Sequence, residues 1–330
     1  MRKSFLMAMI IWFLTALIAN PSLSENFYYF DANIDFNDAE KEEFAAYSEW
    51  SEPALISDRQ TPEDSLQAYD HGDPSSEEQL MLELINASRS DPEQAAEDYE
   101  TGLNEGLAAG TISSSPKQPL AFNPRLIEAA REHSRWMLDT QTFSHAGEGG
   151  SLSQDRIEDA GYEFTGTWVQ GENIGMSGTT GPFDVEEHLH RVNEDLFESP
   201  DHREVTFSED FNEIGIGALT GTFQGVDSLM VTQKYAVSDS TPTPMLVGVV
   251  YEDVNGNGQY DLGEGVQGIT ITPDRGDFYA VTSESGGFAV PLPDLDDTLN
   301  VTASGERIPE PVTKQVTLTG ENVKLDFVVE

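Results

Sequence analysis

The sequence predicts an α+β protein built in two folded parts, a mixed helix–strand domain over residues 77–238 and a small all-β sandwich over 245–330. Two observations predict it. Between residues 77 and 199 apolar side chains recur at helical spacing, and glycine-bounded strand-like runs follow at Glu213–Leu219 and Ser228–Ala236. After Thr241-Pro242-Thr243-Pro244, a short stiff linker within 239–244, the texture changes to brief alternating runs separated by Gly, Pro, Asp and Asn, among them MLVGVVYE, GITITP, GFAVPLP and VKLDFVVE.

The helices are read in order. In EEQLMLELINASRSDPEQ, Leu80, Leu84 and Ala87 fall on one face of a first helix, and Ser90-Asp91-Pro92 ends it and starts another. Pro124 opens the next helix after Asn123, with Leu126, Ala129, Ala130, His133 and Met137 along one stripe. A further helix runs from Val185 to Ser199, with Leu189, Val192 and Leu196 on its inner face. His133, on an apolar stripe, reads as a core histidine. His188 and His190 are two apart, cannot share a helix face, and read as surface residues.

Composition narrows the function. With 60 Asp or Glu against 17 Lys or Arg, the formal charge is −43. Nucleic-acid binding rests on cationic side chains neutralising phosphate and is excluded on that ground, and attraction to anionic lipid headgroups is disfavoured. The absence of cysteine removes disulfides, thiolate metal sites and thiol nucleophiles, leaving oxygen and imidazole for any chemistry.

Residues 1–24 start with Arg2 and Lys3, run apolar from Phe5 to Ala19 and end in small residues, the pattern of a secretory signal peptide. The apolar run is shorter than the roughly 20 residues of a membrane-spanning helix. The expectation is a secreted protein with no membrane span after cleavage, monomeric, and bacterial because its export proceeds without disulfides. Residues 25–76 mix acid with scattered aromatics and show no sustained period, so they read as an acidic disordered segment.

Two constellations carry chemistry. Asp253, Asn255, Asn257, Gln259, Asp261 and Glu264 stand at positions 1, 3, 5, 7, 9 and 12 of a twelve-residue calcium loop, with Gly258 at the turn position. Hard oxygen ligands of this number suit Ca2+. The flanks are strands, so the ion is expected to pin a β-connection, and the asparagines at ligand positions lower the loop's charge and point to weak affinity. VYEDVNGNGQYDLGEGVQGITI followed by TSESGGFAVPLP resembles the B-type repeats of bacterial surface adhesins, which implies a prealbumin-like sandwich acting as a spacer.

The second constellation is a set of polar residues at segment ends. LINASRSDP, LAFNPRLIEAAREHSRWM, FSHAG, GENI, ESPDHR, EIGIGAL and VTQKYA, in that order, resemble the CAP superfamily, also called the SCP or pathogenesis-related-1 family. The resemblance implies an α-β-α sandwich with a cleft lined by His145, Glu172 and His202. Its fourth member falls at Ser199, with Glu198 adjacent. Two imidazoles and a carboxylate can hold Zn2+ with an open coordination position and activate water, or can hydrogen-bond one another across a cleft. Three readings follow: non-enzymatic binding of a small molecule, lipid or cell-envelope ligand; a metal-dependent hydrolase; and a structural or adhesive surface protein. Glu213 and Gln233 are expected near the cleft border.

Overall fold

The computed structural model describes residues 27–36 as backbone, and residues 66–242, 244–293 and 297–329 in full. The leader over 1–24 lies outside them, and no described helix is long and apolar enough to cross a membrane.

The helices begin where their caps dictate. Helix α1 (Ser76–Ser90) is opened by a capping box in which Ser75 accepts from Glu78 N and the Glu78 side chain accepts from Ser75 N. Asp91 caps α2 (Pro92–Asp98), and Asn123 caps α3 (Pro124–Thr140), each followed by the expected proline. Two short helices not foreseen, α4 (Ser153–Asp159) and α6 (Pro200–Phe207), flank α5 (Val185–Glu198) along the chain.

The central sheet has the order β1-β4-β6-β5-β3, formed by β1 (Phe27–Phe36), β3 (Ala121–Phe122), β4 (Trp168–Thr179), β5 (Glu213–Phe223) and β6 (Val226–Ser238). Its long strands are antiparallel, and β3 joins β5 in parallel. Alternation along β4 assigns the faces. Ile174 and Met176 pack with Met137 of α3. A Cβ on the intervening Gly175 would come within 2.8 Å of Val192 on α5. Helices therefore cover both faces in three layers. The glycines that admit α5 also broke the period-2 signal of β4, which is why the whole strand was not legible in advance.

Two described stretches of 25–76, residues 27–36 and 66–76, depart from the expectation of disorder, while 25–26 and 37–65 lie outside the described residues. Phe27–Phe36 is a strand paired antiparallel with the open edge of β4 over its whole length. Pairing through backbone groups satisfies the ladder whatever the side chains, so an acidic, aperiodic stretch can still form an edge strand. Gln67–Ala68 (β2) lies parallel to a strand of the C-terminal module, and His71 Nε2 donates to the Val281 carbonyl at 2.9 Å.

The module has two sheets. β7 (Met245–Tyr251) pairs with β10 (Gly287–Pro291), β13 (Val323–Lys324) and β14 (Phe327–Val328). The other sheet runs β12-β11-β8-β9-β2, adding β8 (Thr270–Pro273), β9 (Phe278–Val281), β11 (Thr298–Gly305) and β12 (Ile308–Thr317). Leu246, Val250, Ile271, Leu299, Val301 and Phe327 are buried together between them.

The module is packed against the first domain rather than strung from it, which corrects the spacer expectation. One hydrophobic cluster runs from Leu80, Leu82 and Leu189 to Val249, Tyr251 and Tyr260. Asn322 Nδ2 donates to the carbonyls of Pro119 and Asn212 at 3.0 and 2.8 Å, and Lys324 pairs with Glu83 at 2.8 Å. A proline-containing linker said nothing about this seam, because the apolar residues that form it are also the ordinary inward residues of each part.

Candidate functional site

Glu172 stands in the middle of β4, wholly buried, on the sheet face that α3 covers. Its carboxylate accepts from His145 Nδ1 at 2.5 Å, and Arg156 Nη2 reaches its two oxygens at 3.1 and 2.8 Å. Lys234 Nζ, directly opposite on β6, donates to Glu172 Oε2 and, at 2.9 Å, to Ser153 Oγ. Ser153 in turn donates to Gln170 Oε1 at 2.8 Å. Arg156 also donates to the carbonyls of His145 and Ser151, at 3.0 and 2.7 Å, so one guanidinium ties the loop from 145 to 151 onto the strand.

Electrostatics follow from these partners. Burial pushes the Glu172 carboxyl up, yet Lys234, His145 and Arg156 together hold it well below the ordinary carboxylate range, so it is ionised. Burial lowers the Lys234 ammonium to about 8 against the pull of Glu172, so it is charged at neutral pH. A carboxylate accepts only, so His145 carries its proton on Nδ1. His133 is the core residue expected: its Nε2 donates to the Ser144 carbonyl at 3.0 Å, its ring stacks on Trp136, and burial lowers it to about 3.

The expected cleft set is only partly assembled. His145 and Glu172 meet. Asn173, one residue along and therefore pointing to the other face, donates to the His202 backbone carbonyl at 3.2 Å. The His202 ring itself bonds Ser199 Oγ at 2.6 Å. Ser199 thus stands beside the imidazole, whereas the Glu198 side chain is exposed and its carbonyl accepts from Arg203. Among the described residues, His145, Glu172 and His202 do not form a group whose ligand atoms lie within 4.8 Å of one another. Glu213 is engaged elsewhere, with Asn123 and Tyr162 each at 2.8 Å, while Gln233 accepts from Asn173 and Tyr235. His188 is not a surface residue: it is buried, stacked on Phe183, with Nδ1 2.6 Å from Ser177 Oγ.

This arrangement does not fit zinc. The one carboxylate of the set is already shared by two cationic side chains. A divalent ion about 4 Å from either would be repelled by about 8 kcal/mol at an effective dielectric near 20. Lys234 and Arg156 were missed in the sequence, although a lone lysine inside the alternating strand SLMVTQKYA is a signal that a buried anion faces it.

The calcium loop has the opposite character. Asp253 accepts from Gly256 N and Asn257 N through Oδ1, at 2.8 and 3.1 Å, and from Gly258 N through Oδ2 at 2.9 Å. Glu264, buried, accepts from Val254 N at 2.9 Å and Asp261 N at 3.0 Å, closing the loop on itself. Gly258 has φ +76°, the left-handed turn that the sixth position requires. Oxygen donors gathered on a backbone of this shape fit a hard cation, which Asp253, Asn255, Asn257, Asp261, Glu264 and the Gln259 carbonyl would hold.

Comparison with known proteins follows the same division. Residues 82–235 match the model of the CAP family, the cysteine-rich secretory protein family. Among solved structures the chain is similar to an extracellular protein containing an SCP domain from Bacillus anthracis strain Ames. The two are 22% identical over 36% of this chain and 34% of that one, with a TM-score of 0.26. It is also similar to an outer surface protein from Borrelia burgdorferi, 19% identical over 44% of this chain and 94% of that one, with a TM-score of 0.27. The curated proteins give no match. The family match, over the three-layer core that holds His145 and Glu172, makes residues 82–235 a CAP domain.

Proposed function

We propose that this is an exported protein whose CAP domain binds a lipid or cell-envelope ligand without catalysis, while calcium braces its C-terminal module. The observation that carries the non-enzymatic part is the saturation of Glu172. A general base needs a carboxylate free to take a proton, and a metal site needs one free to ligate. Here the carboxylate is held ionised by Lys234 and Arg156, and its work is to fix the loop after α3 onto β4. The polar network fixes the His145 ring through Nδ1, the side chain we place against the ligand. The chain's charge of −43 selects against anionic ligands, so a neutral glycan or a zwitterionic lipid is the class favoured.

Export rests on the basic, apolar and small-residue order of residues 1–24. The likeness of 245–330 to B-type adhesin repeats supports a place at or beyond the cell surface, where millimolar calcium fills weak loops.

The test is isothermal titration of the mature chain with zwitterionic lipid micelles and with neutral glycan fragments, in calcium. Saturable heat that disappears in His145→Ala supports the reading. No heat with either class, or heat indifferent to His145→Ala, overturns it. Hydrolysis of a peptide panel that Glu172→Gln abolishes would replace it with the hydrolase.

A further inference from the structure

We propose a second cation site at the seam between the CAP domain and the β-module, formed by Glu186 and His190 of α5 with Asp261 of the module, and suited to a zinc-like divalent ion. One ligand atom from each of the three lies within 4.8 Å of the others. Glu186 and His190 are four apart, so they project side by side from one helix face and form a two-point chelate. The third donor comes from a different part of the chain, so an ion held here links the two parts directly.

The convergence is imposed by packing. Leu189, between the two helical ligands, and Tyr260, next to Asp261, are buried in the same hydrophobic cluster, and Val185 and Leu262 pack against it. The seam therefore fixes the helix and the loop face to face whatever their charges. Asp261 is oriented as well: its Oδ2 accepts from Asn255 Nδ2 and Asn257 Nδ2, at 2.6 and 2.7 Å. Juxtaposed carboxylates repel, and Glu186 and Asp261 bring one oxygen each within 4.8 Å of the other. The amides of the first helical turn do not relieve it, because Asp184 Oδ1 already accepts from Glu186 N and Glu187 N, at 3.0 and 3.3 Å. A bound cation removes that repulsion.

Donor chemistry selects the ion. One imidazole nitrogen with two carboxylate oxygens suits zinc and its transition-metal neighbours, whereas calcium and magnesium take oxygen alone. Three protein donors leave a position for water at this half-exposed seam. The site shares Asp261 with the calcium loop but does not rest on that loop being filled, nor on the cleft reading.

Zinc chloride titrated calorimetrically into the calcium-free mature chain tests it, because a calcium ion on Asp261 would oppose a second divalent cation there. We expect a single saturable site, weakened by roughly tenfold or more in His190→Ala and in Glu186→Gln. Zinc also raises the melting temperature of the native chain, and His190→Ala abolishes the rise. His190 is exposed, so this variant melts normally without zinc. His145→Ala leaves zinc binding unchanged, and Glu264→Gln reports calcium separately, so failure of the earlier readings is distinguishable from failure here. Absence of zinc uptake, uptake that survives His190→Ala, or uptake lost with His145→Ala overturns the assignment.

Discussion

Lys234→Met tests the reading of the buried charge cluster. Methionine has nearly the shape of the lysine stem, so the substitution removes the ammonium and little packing. Glu172, with no exposed surface, is left with Arg156 at 2.8 Å and His145 at 2.5 Å. Removing one partner of a buried ion pair costs about 3–5 kcal/mol, because the remaining charge stays desolvated. That is a large share of a total stability of about 5–15 kcal/mol. Urea unfolding followed by tryptophan fluorescence reads it well, since Trp136 and Trp168 both lie in the CAP domain and the β-module has no tryptophan. A loss of about 4 kcal/mol over an m-value of about 3 kcal/mol/M lowers the midpoint by about 1.3 M. Glu172→Gln alone takes the shared carboxylate from both Lys234 and Arg156, so the double variant loses less than the sum of the two single losses. A loss below about 1 kcal/mol in the single variant, or strictly additive losses in the double, would refute the coupling.

Other expectations follow from the same structure. The Glu172 carboxyl titrates well below its ordinary value of 4.5, so its stabilisation is complete above that pH and drains away as the pH falls further. The urea midpoint of the native chain should therefore drop more steeply between about pH 5 and 3 than that of Glu172→Gln, and parallel profiles would contradict this. Calcium at about 100 times its dissociation constant should stabilise the β-module by about 2.7 kcal/mol. Calorimetric melting with calcium and with chelator checks it, and Glu264→Gln should erase the difference. At Gly217 a Cβ would stand 2.5 Å from the Ala130 carbonyl carbon and the Arg131 nitrogen, so Gly217→Ala forces α3 off β5. It should cost about 3 kcal/mol, more than Gly221→Ala, whose Cβ meets only the Leu138 side chain at 3.1 Å. Equal midpoints for the two would show that the helix has room to shift.

What could be read from residues alone is what local rules govern. Helical spacing located α1, α3 and α5, and Asn123-Pro124 marked the start of α3; the structure adds that Ser75, Asn123 and Asp184 each satisfy amides within their own first turn. The pattern of a calcium loop could be read because its ligand positions all fall within twelve residues of chain. Ordered short motifs led to the CAP domain for the same reason, and they named His145 and Glu172.

What needed the fold was every property that depends on residues distant in sequence. The charge state and duty of Glu172 are set by Lys234, on a strand more than sixty residues later, and by Arg156 on a helix too short to announce itself. His188 looked like an exposed helical residue until Phe183 and Ser177 covered it. The acidic segment at Phe27–Phe36 gave no period to read, since an edge strand is recruited by the open backbone of its neighbour and not by its own side chains. The seam that gathers Glu186, His190 and Asp261 exists because two apolar surfaces met in one orientation. Hydrophobic attraction is non-directional, so composition supplies the force and shape complementarity chooses the contact.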